Sequence, residues 1–600
     1  MLSALVAYYD QIARDHPNEV APIGWSSARV GCELQLDVAG RIMAIIPIKD
    51  RQKMMRVVPM QEKRAVNIAA NFLCDNSTYI LGVDNKGKPE RTAKCFQAAR
   101  DLHHKILDGV DSACAQSIIG FFDTWSPTSD SLSEITDDNA ILSGKNIVFK
   151  VEIGNDLADP MQDEAIREAW KRYLGTSESS PVMRCLVTGD IASIARLHPS
   201  IRGVYGAQSS GASLVSFNAR AFESYGHDNE QGRNAPVSER AAQAYTTALN
   251  YLLSRPEHHT RLGDTTIVYW AEHKDDENAQ LFSSLLGGGL MDENNSSEDA
   301  ISFVNATMTA IAHGVYRDVE GIDPDSTFYI LGIAPSAARL VIKFFFKDTF
   351  GAMLDNLGKH YRRSDVIHGK NQAAFLTPYQ LLREVENPKA KKPVVAPVLA
   401  GPLLKAMLLD APYPQALYAN ALLRIHATQS DPDTYTRKVS RGRASIIRAY
   451  LIKNCTKKGY DERGLTVSLN QQRNEPAYNL GRAFAILEQI QEEANGRASL
   501  TNRYYNAAST TPLAVFPTLI RLSNAHLAKI ERTKPGLAYY LAKQLREVLG
   551  EDRVYVFPKR LNLEEQGDFA LGTFHQTSKR YERNTENNSE SVTTDLSSEE

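Results

Sequence analysis

Apolar and polar positions alternate through the first part of the chain, whereas the last part repeats its apolar residues at helical spacing. CELQLDVAGRIMAIIPI (Cys32 to Ile48) keeps a period of two on both sides of Gly40 and predicts a hairpin turning there. TTIVYWAEH, FYILGI and ARLVIKFFFKD predict further strands. MLSALVAYYDQIARDH, KCFQAARDLHHKIL and AAQAYTTALNYLLS, whose apolar run closes at Asn250, carry the spacing of amphipathic helices. The order of the strands is not legible in this pattern. From residue 384 the composition shifts to ENPKAKKPVVAPVLAGP, whose prolines and lysines predict a linker over 384–402. Beyond it no strand pattern recurs. PAYNLGRAFAILEQIQEEANG places Leu480, Phe484, Leu487 and Gln491 on one helical face, with Pro476 in a first turn and Gly496 at an end. The pattern predicts an α+β chain: a mixed α/β domain over 1–383, the linker, an all-α bundle over 403–575, and an acidic, disordered tail over 576–600.

At 600 residues the chain exceeds what one core organises, so at least two domains are expected. No apolar run approaches the ~20 residues that span a bilayer. The start has neither a basic segment ahead of its apolar residues nor a small-residue cleavage site, so a cytoplasmic location is expected. Cys32, Cys74, Cys95, Cys114, Cys185 and Cys455 are scattered without a CxxC pair, which suits reduced and mostly buried thiols. No metal and no cofactor is expected. There is no GxSxG elbow, no GxxxxGK[ST] loop and no HExxH helix. In the pairs His103/His104 and His258/His259, adjacent rings on a helix point apart, and HDNEQGRN (His227 to Asn234) lacks the alternating carboxylates of a calcium loop.

Net charge is only −3, but its distribution is uneven. Arg437, Lys438, Arg441, Arg443, Arg448, Lys453, Lys457 and Lys458 fall within one stretch that holds no Asp or Glu. Such an unmixed run attracts phosphates. A second cluster, Lys49, Arg51, Lys53 and Arg56 with Lys63 and Arg64, reads as a phosphate clamp or as a solvated loop. GVDNKGKPER resembles a hairpin turn projecting Lys86, Lys88 and Arg91. Between Gly206 and Gly226 the chain is rich in Gly, Ser and Asn and has no Lys. Gly206 and Gly211 let the backbone come close to a partner, and Gln208, Ser209, Ser210 and Asn218 offer short donors and acceptors. The segment reads as a loop for a phosphate or a base edge, or as a hydrogen-bonded turn.

Several blocks, in order, carry a resemblance: MLSALVAYYD, NFLCDNSTYILGVDNKGK, CLVTGD followed by IARLHPSIRGVYGAQSSGASLVSFNARAFESYG, NAPVSERAAQAYTTALNYLL, FYILGIAPSAARL, PAYNLGRAFAILEQIQ and EEQGDFALGTFHQ. With them the chain resembles the Csd family, the large subunits of the type I-C CRISPR surveillance complex, Cascade. The linker near Lys389 to Pro397 and the acidic tail lie outside the resemblance. It implies a non-catalytic subunit whose partners are the guide CRISPR RNA ribonucleoprotein, the backbone and small subunits, target double-stranded DNA with its displaced single strand, and a helicase-nuclease, with no membrane. Base pairing then reads the target, and the protein reads the flanking PAM. On that reading Gln208, Ser209, Ser210, Gly211, Asn218 and Asn76 are base-contact candidates. Lys49, Arg51, Lys53, Arg56, Lys86, Lys88, Arg437, Lys438, Arg441, Arg443 and Arg448 are phosphate-contact candidates. Two other classes stay open: a scaffold subunit without base reading, and a hydrolase or nuclease using the Ser-rich loop and His227.

Overall fold

The computed structural model describes residues 1–50, 54–61, 64, 68–83, 88–127, 145–175, 181–217, 220–222, 231–272, 275–286, 298–315, 322–369, 372–387, 396–431, 436–496, 499–550 and 556–595. The fold is α+β, as the sequence pattern predicts. Two compact units divide it: Met1–Gly203, Ala207–Ser254 and Ser336–Leu340 form the first, and Val204–Gly206, Arg255–Pro335 and Val341–Glu600 the second.

In the first unit, helix α1 (Leu2–Asp15) precedes strands β1 (Trp25–Leu36), β2 (Ile42–Pro47), β3 (Met55–Pro59) and β4 (Cys74–Asn76). Helices α2 (Ser77–Ile80), α3 (Pro89–Leu107) and α4 (Ala113–Thr124) follow, then β5 (Asn146–Ile153), β6 (Asp156–Ala158) and α5 (Glu164–Gly175). The hairpin β7 (Val182–Arg184) and β8 (Ile191–Ser193) leads to α6 (Glu239–Ser254). The sheet runs β2-β1-β5-β4, with β3 on β1 and β6 on β5. Alternation in β1 sends Val30, Cys32, Leu34 and Leu36 into the core. The predicted hairpin forms, and its turn is closed by Asp37 Oδ1, which accepts the N–H groups of Ala39 (2.9 Å) and Arg41 (2.8 Å). Strand β5 adds to β1 in parallel, making the sheet mixed.

The CDNSTY block is a structural knot. Asp75 is buried, gripped by both terminal nitrogens of Arg64, and accepts the N–H groups of Asn71 (2.9 Å) and Asn76 (2.8 Å). His103 on α3 donates from Nδ1 to Ala99 O (2.7 Å), and its Nε2 accepts the N–H of Leu73 (3.1 Å), a residue held at φ 55°. Burial lowers this imidazole to about 4, so it is neutral. GVDNKGKPER joins α2 to α3 rather than two strands, because Lys88 and Pro89 start a helix; 84–87 lie outside the described residues.

The second unit opens on an antiparallel sheet, in the order β12-β11-β10-β9, of β9 (His259–Leu262), β10 (Thr265–Ala271), β11 (Thr327–Ser336) and β12 (Arg339–Thr349). Helices α7 (Asp275–Leu286), α8 (Glu298–His313), α9 (Phe350–Ser364), α10 (Pro378–Arg383) and α11 (Pro397–Leu408) are interspersed with and follow these strands. Ile267, Tyr269, Phe328, Ile330 and Phe346 share a core with Leu399, Leu403, Leu404 and Met407 of α11. The compact units therefore do not part at the expected 384–402 linker. Pro397 sits in the first helical turn, where no amide is needed, and the leucines after it are buried. Residues 388–395 lie outside the described residues.

Helices α12 (Gln415–Ala427), α13 (Arg441–Asn454), α14 (Pro476–Asn495), α15 (Leu500–Thr510), α16 (Pro512–Glu531), α17 (Pro535–Val548) and α18 (Leu563–Asp595) supply the bundle. Where α14 crosses α18, a Cβ on Gly481 would stand 2.0 Å from Phe569 O, so only glycine lets the backbones approach this closely. Thr573 Oγ1 donates to Gly481 O across the same crossing (3.1 Å). Helix α18 continues to Asp595, so most of the expected disordered tail 576–600 is helical. All six cysteines are free and five are buried. Among the described residues no helix is long and apolar enough to cross a membrane.

Candidate nucleic-acid interface

Helix α6 builds the site from one polar face set among apolar residues. Asn250 reaches both sides of Ile201: its Nδ2 donates to Ser200 O (3.1 Å), and its Oδ1 accepts the N–H of Arg202 (2.8 Å). One turn and a half earlier, Tyr245 OH meets His198 Nδ1 (2.7 Å). Ile201 and Ala212 exchange both backbone hydrogen bonds (2.9 and 2.8 Å), which closes the base of the loop. At its far end the N–H of Gly211 returns to Gln208 O (2.9 Å). Gly211 has φ 93°, and a Cβ there would meet Ile201 O at 2.9 Å, so the turn requires glycine on two counts. Gln208, Ser209 and Ser210 consequently stand exposed on a turn whose base is fixed.

Ser210 also lines a cleft of about 740 Å³ in the first unit, walled by β1 from Trp25 to Arg29, by Met55, Met60 and Gln61, and by α6. Arg29 and Arg202 are its basic residues, and both are exposed. Among the described residues one carboxylate lines it, Glu19, which accepts a hydrogen bond from Tyr251 OH (2.8 Å). Gln243, buried on α6, ties the floor to β1 by accepting from Gly24 N (2.8 Å) and donating to Trp25 O (2.6 Å). Neither Asn250 nor Gln243 nor the arginines at 29 and 202 belong to a charged cluster. The sequence signal that marks them is a pair of amides inside an apolar helix.

The other candidates disperse. Asn218, Arg51, Lys53 and Lys86 lie outside the described residues, as does His227. Asn76 caps α2, its Oδ1 accepting Thr78 N–H (3.1 Å), so that acceptor is spent on the fold. Arg56 pairs with Glu33 (2.5 Å), whereas Lys49 and Lys88 are exposed.

Of the eight cations from 437 to 458, Lys438, Arg443 and Arg448 are buried, which corrects the phosphate reading of these three. Lys438 is 3% exposed and donates to the carbonyls of Ile425 (3.0 Å) and His426 (3.2 Å). Arg443 donates to Lys438 O (2.9 Å) and Thr428 Oγ1 (3.1 Å). Arg448, 2% exposed, gives its guanidinium to Leu465 O (2.8 Å), Arg362 O (2.6 Å) and Arg363 O (2.8 Å), capping the carbonyl end of α9. Burial lowers it to about 10. Arg441 donates to Ala374 O (2.6 Å) and is partly buried. Lys453 pairs with Asp410 (2.8 Å) and Lys457 with Glu475 (2.9 Å); Arg437 and Lys458 are exposed. A guanidinium whose donors are consumed by carbonyls cannot also clamp a phosphate.

Replacing Asn250 with alanine removes both hydrogen bonds at the loop base, each worth about 1 kcal/mol. Hydrogen exchange across 199–213 is therefore expected to quicken roughly tenfold or more while global melting shifts little. Unchanged exchange in that peptide would show that the loop is fixed by other means.

No curated protein matches the chain closely enough to count as a relative. The profile of one family, described as CRISPR-associated protein (Cas_Csd1), matches residues 5–581, nearly the whole chain. The chain belongs to the CRISPR-associated Csd1 family, whose members are Cascade subunits.

Proposed function

We propose that this subunit reads the PAM of target duplex DNA with the Gln208–Gly211 turn and helps to open the duplex beside it. The observation that carries this reading is the turn itself: neutral, exposed donors and acceptors at the rim of a cleft flanked by Arg29 and Arg202, on a base fixed by Asn250. Short neutral groups suit the edges of the minor groove, whose pattern is degenerate, and the arginines supply attraction to phosphates. Gln208 is long enough to press between base pairs, an unstacking that costs a few kcal/mol per step. Lys49 and Lys88 extend the contact to the phosphates of the PAM duplex. Arg437 and Lys458 carry the displaced strand, and the opened R-loop recruits the helicase-nuclease that cuts. The subunit itself performs no covalent step in this scheme. The chain assembled with guide RNA, backbone and small subunits is expected to bind PAM-bearing targets far more tightly than targets with a scrambled PAM. Equal binding of the two would overturn the reading.

A further inference from the structure

The cleft beside the turn contains a feature that PAM reading by Gln208–Gly211 does not use. Strand β1 pairs with β3 from Trp25 to Arg29. Gly24 O accepts from Met60 N–H (2.9 Å), and Val30 N–H donates to Met54 O (2.7 Å). Antiparallel pairing alternates, so residues 26 and 28 also turn their backbone groups to β3, and Trp25, Ser27 and Arg29 turn theirs to the opposite edge. All three residues line the cleft. Two of the three carbonyls on that edge are capped: Trp25 O by Gln243 Nε2 (2.6 Å) and Arg29 O by Asn146 Nδ2 (3.2 Å). Between the caps, among the described residues, neither the N–H nor the C=O of Ser27 meets a partner. Beside it, the Ser26 hydroxyl is buried and unpartnered.

We propose that this cleft seats one unpaired nucleobase, read by the N–H and C=O of Ser27. The proposal rests on the nucleic-acid reading above. A single residue's donor and acceptor, pointing the same way, match the adjacent donor and acceptor on a base edge. An added peptide strand needs successive residues of open edge, and the amide caps of Gln243 and Asn146 deny it these. The volume of about 740 Å³ lies within the ~300–1,000 Å³ of small-ligand pockets. Around the mouth the charge is basic: Arg29 and Arg202, with Lys145 in an adjoining cavity of about 380 Å³ that shares Arg29 and Asn146. That charge suits the phosphates on either side of an extruded base, and the apolar walls of Trp25, Met55, Met60 and Leu253 suit its faces.

The test is a scan of single abasic positions through the PAM-proximal duplex and displaced strand, using the assembled complex. Ser27→Pro deletes the free N–H without touching a bond to β3, a place where a strand tolerates proline. Thr247→Phe fills the cleft from α6 as an independent variant. In the unaltered complex one abasic position is expected to weaken binding roughly tenfold, the scale of one bidentate base contact. Both variants should bind the intact target about as weakly and lose that position's penalty. A penalty that persists in both variants, or no sensitive position, overturns the seat while leaving PAM dependence to be read separately in the same assay. Loss of partner subunits from Ser27→Pro with unchanged base sensitivity would also overturn it, assigning the edge to a protein contact.

Discussion

Asp568→Ala is expected to lower the unfolding free energy by about 3–5 kcal/mol, the cost of stranding a buried charge. Arg473 is 5% exposed and Asp568 is fully buried. Arg473 Nη2 meets Asp568 Oδ2 (2.8 Å) and Nε meets Oδ1 (3.2 Å), a fork against a carboxylate. Tyr460 OH adds a bond to Oδ2 (3.2 Å), and Arg473 Nη1 donates to Gly459 O (2.6 Å). Burial alone would lower the Arg473 guanidinium, and the neighbouring carboxylate holds it above its ordinary value; with Asp568 gone that support is lost, and a guanidinium, which proteins do not deprotonate, is left buried and charged. The pair also ties the loop after α13 to α18, next to the glycine crossing at Gly481. Urea unfolding monitored by circular dichroism measures the loss; a change under about 1 kcal/mol would mean that the pair contributes little.

Mild acid is expected to destabilise the protein through three buried histidines. His360 and His575 are pushed down to about 3 and His103 to about 4, in each case chiefly by burial. His360 Nδ1 meets Tyr413 OH (2.6 Å) and His575 Nδ1 meets Tyr478 OH (2.9 Å), bonds that suit neutral rings. An ordinary histidine titrates near 6.5. Below that pH the unfolded chain binds protons that the folded chain refuses, so the stability is fully present above about 6.5 and is lost as pH falls towards 3 to 4. The slope is about 1.4 kcal/mol per pH unit for each ring, hence about 2 kcal/mol each between pH 7 and 5. Two rings lie in the second unit and one in the first, so the second should lose about 4 kcal/mol and the first about 2. Thermal melting at both pH values checks this, and His360→Gln should flatten the dependence. A melting temperature that does not move between pH 7 and 5 would contradict the neutral, buried rings.

Local pattern carried the sequence reading where local physics decides the outcome. The hairpin around Gly40 follows from period-two alternation, the strands β10, β11 and β12 from short runs rich in β-branched and aromatic residues, and α6 and α14 from helical spacing. The parallel addition of β5 to β1 had no local signal, because its partner lies more than a hundred residues away. The same distance misled the reading of charge. The stretch from Arg437 to Lys458 contains no acid, yet Lys453 and Lys457 find Asp410 and Glu475, and Arg448 finds carbonyls some 85 residues earlier. A run of cations looks the same in sequence whether phosphates or helix ends receive it. The cleft was illegible for a related reason. Its walls come from β1, β3, the 199–211 loop and α6, and the sequence singled out only Ser210 among them.

The most direct test substitutes the turn without touching its base. Gln208→Ala and Ser210→Ala are exposed changes that leave the bonds of Asn250 intact, so assembly with guide RNA and partner subunits should proceed as before. Binding of the assembled complex to PAM-bearing duplex should fall, and its preference over a scrambled PAM should shrink. Normal assembly with undiminished PAM preference in the double variant would contradict the account, and a loss of assembly instead of binding would make the turn a subunit contact.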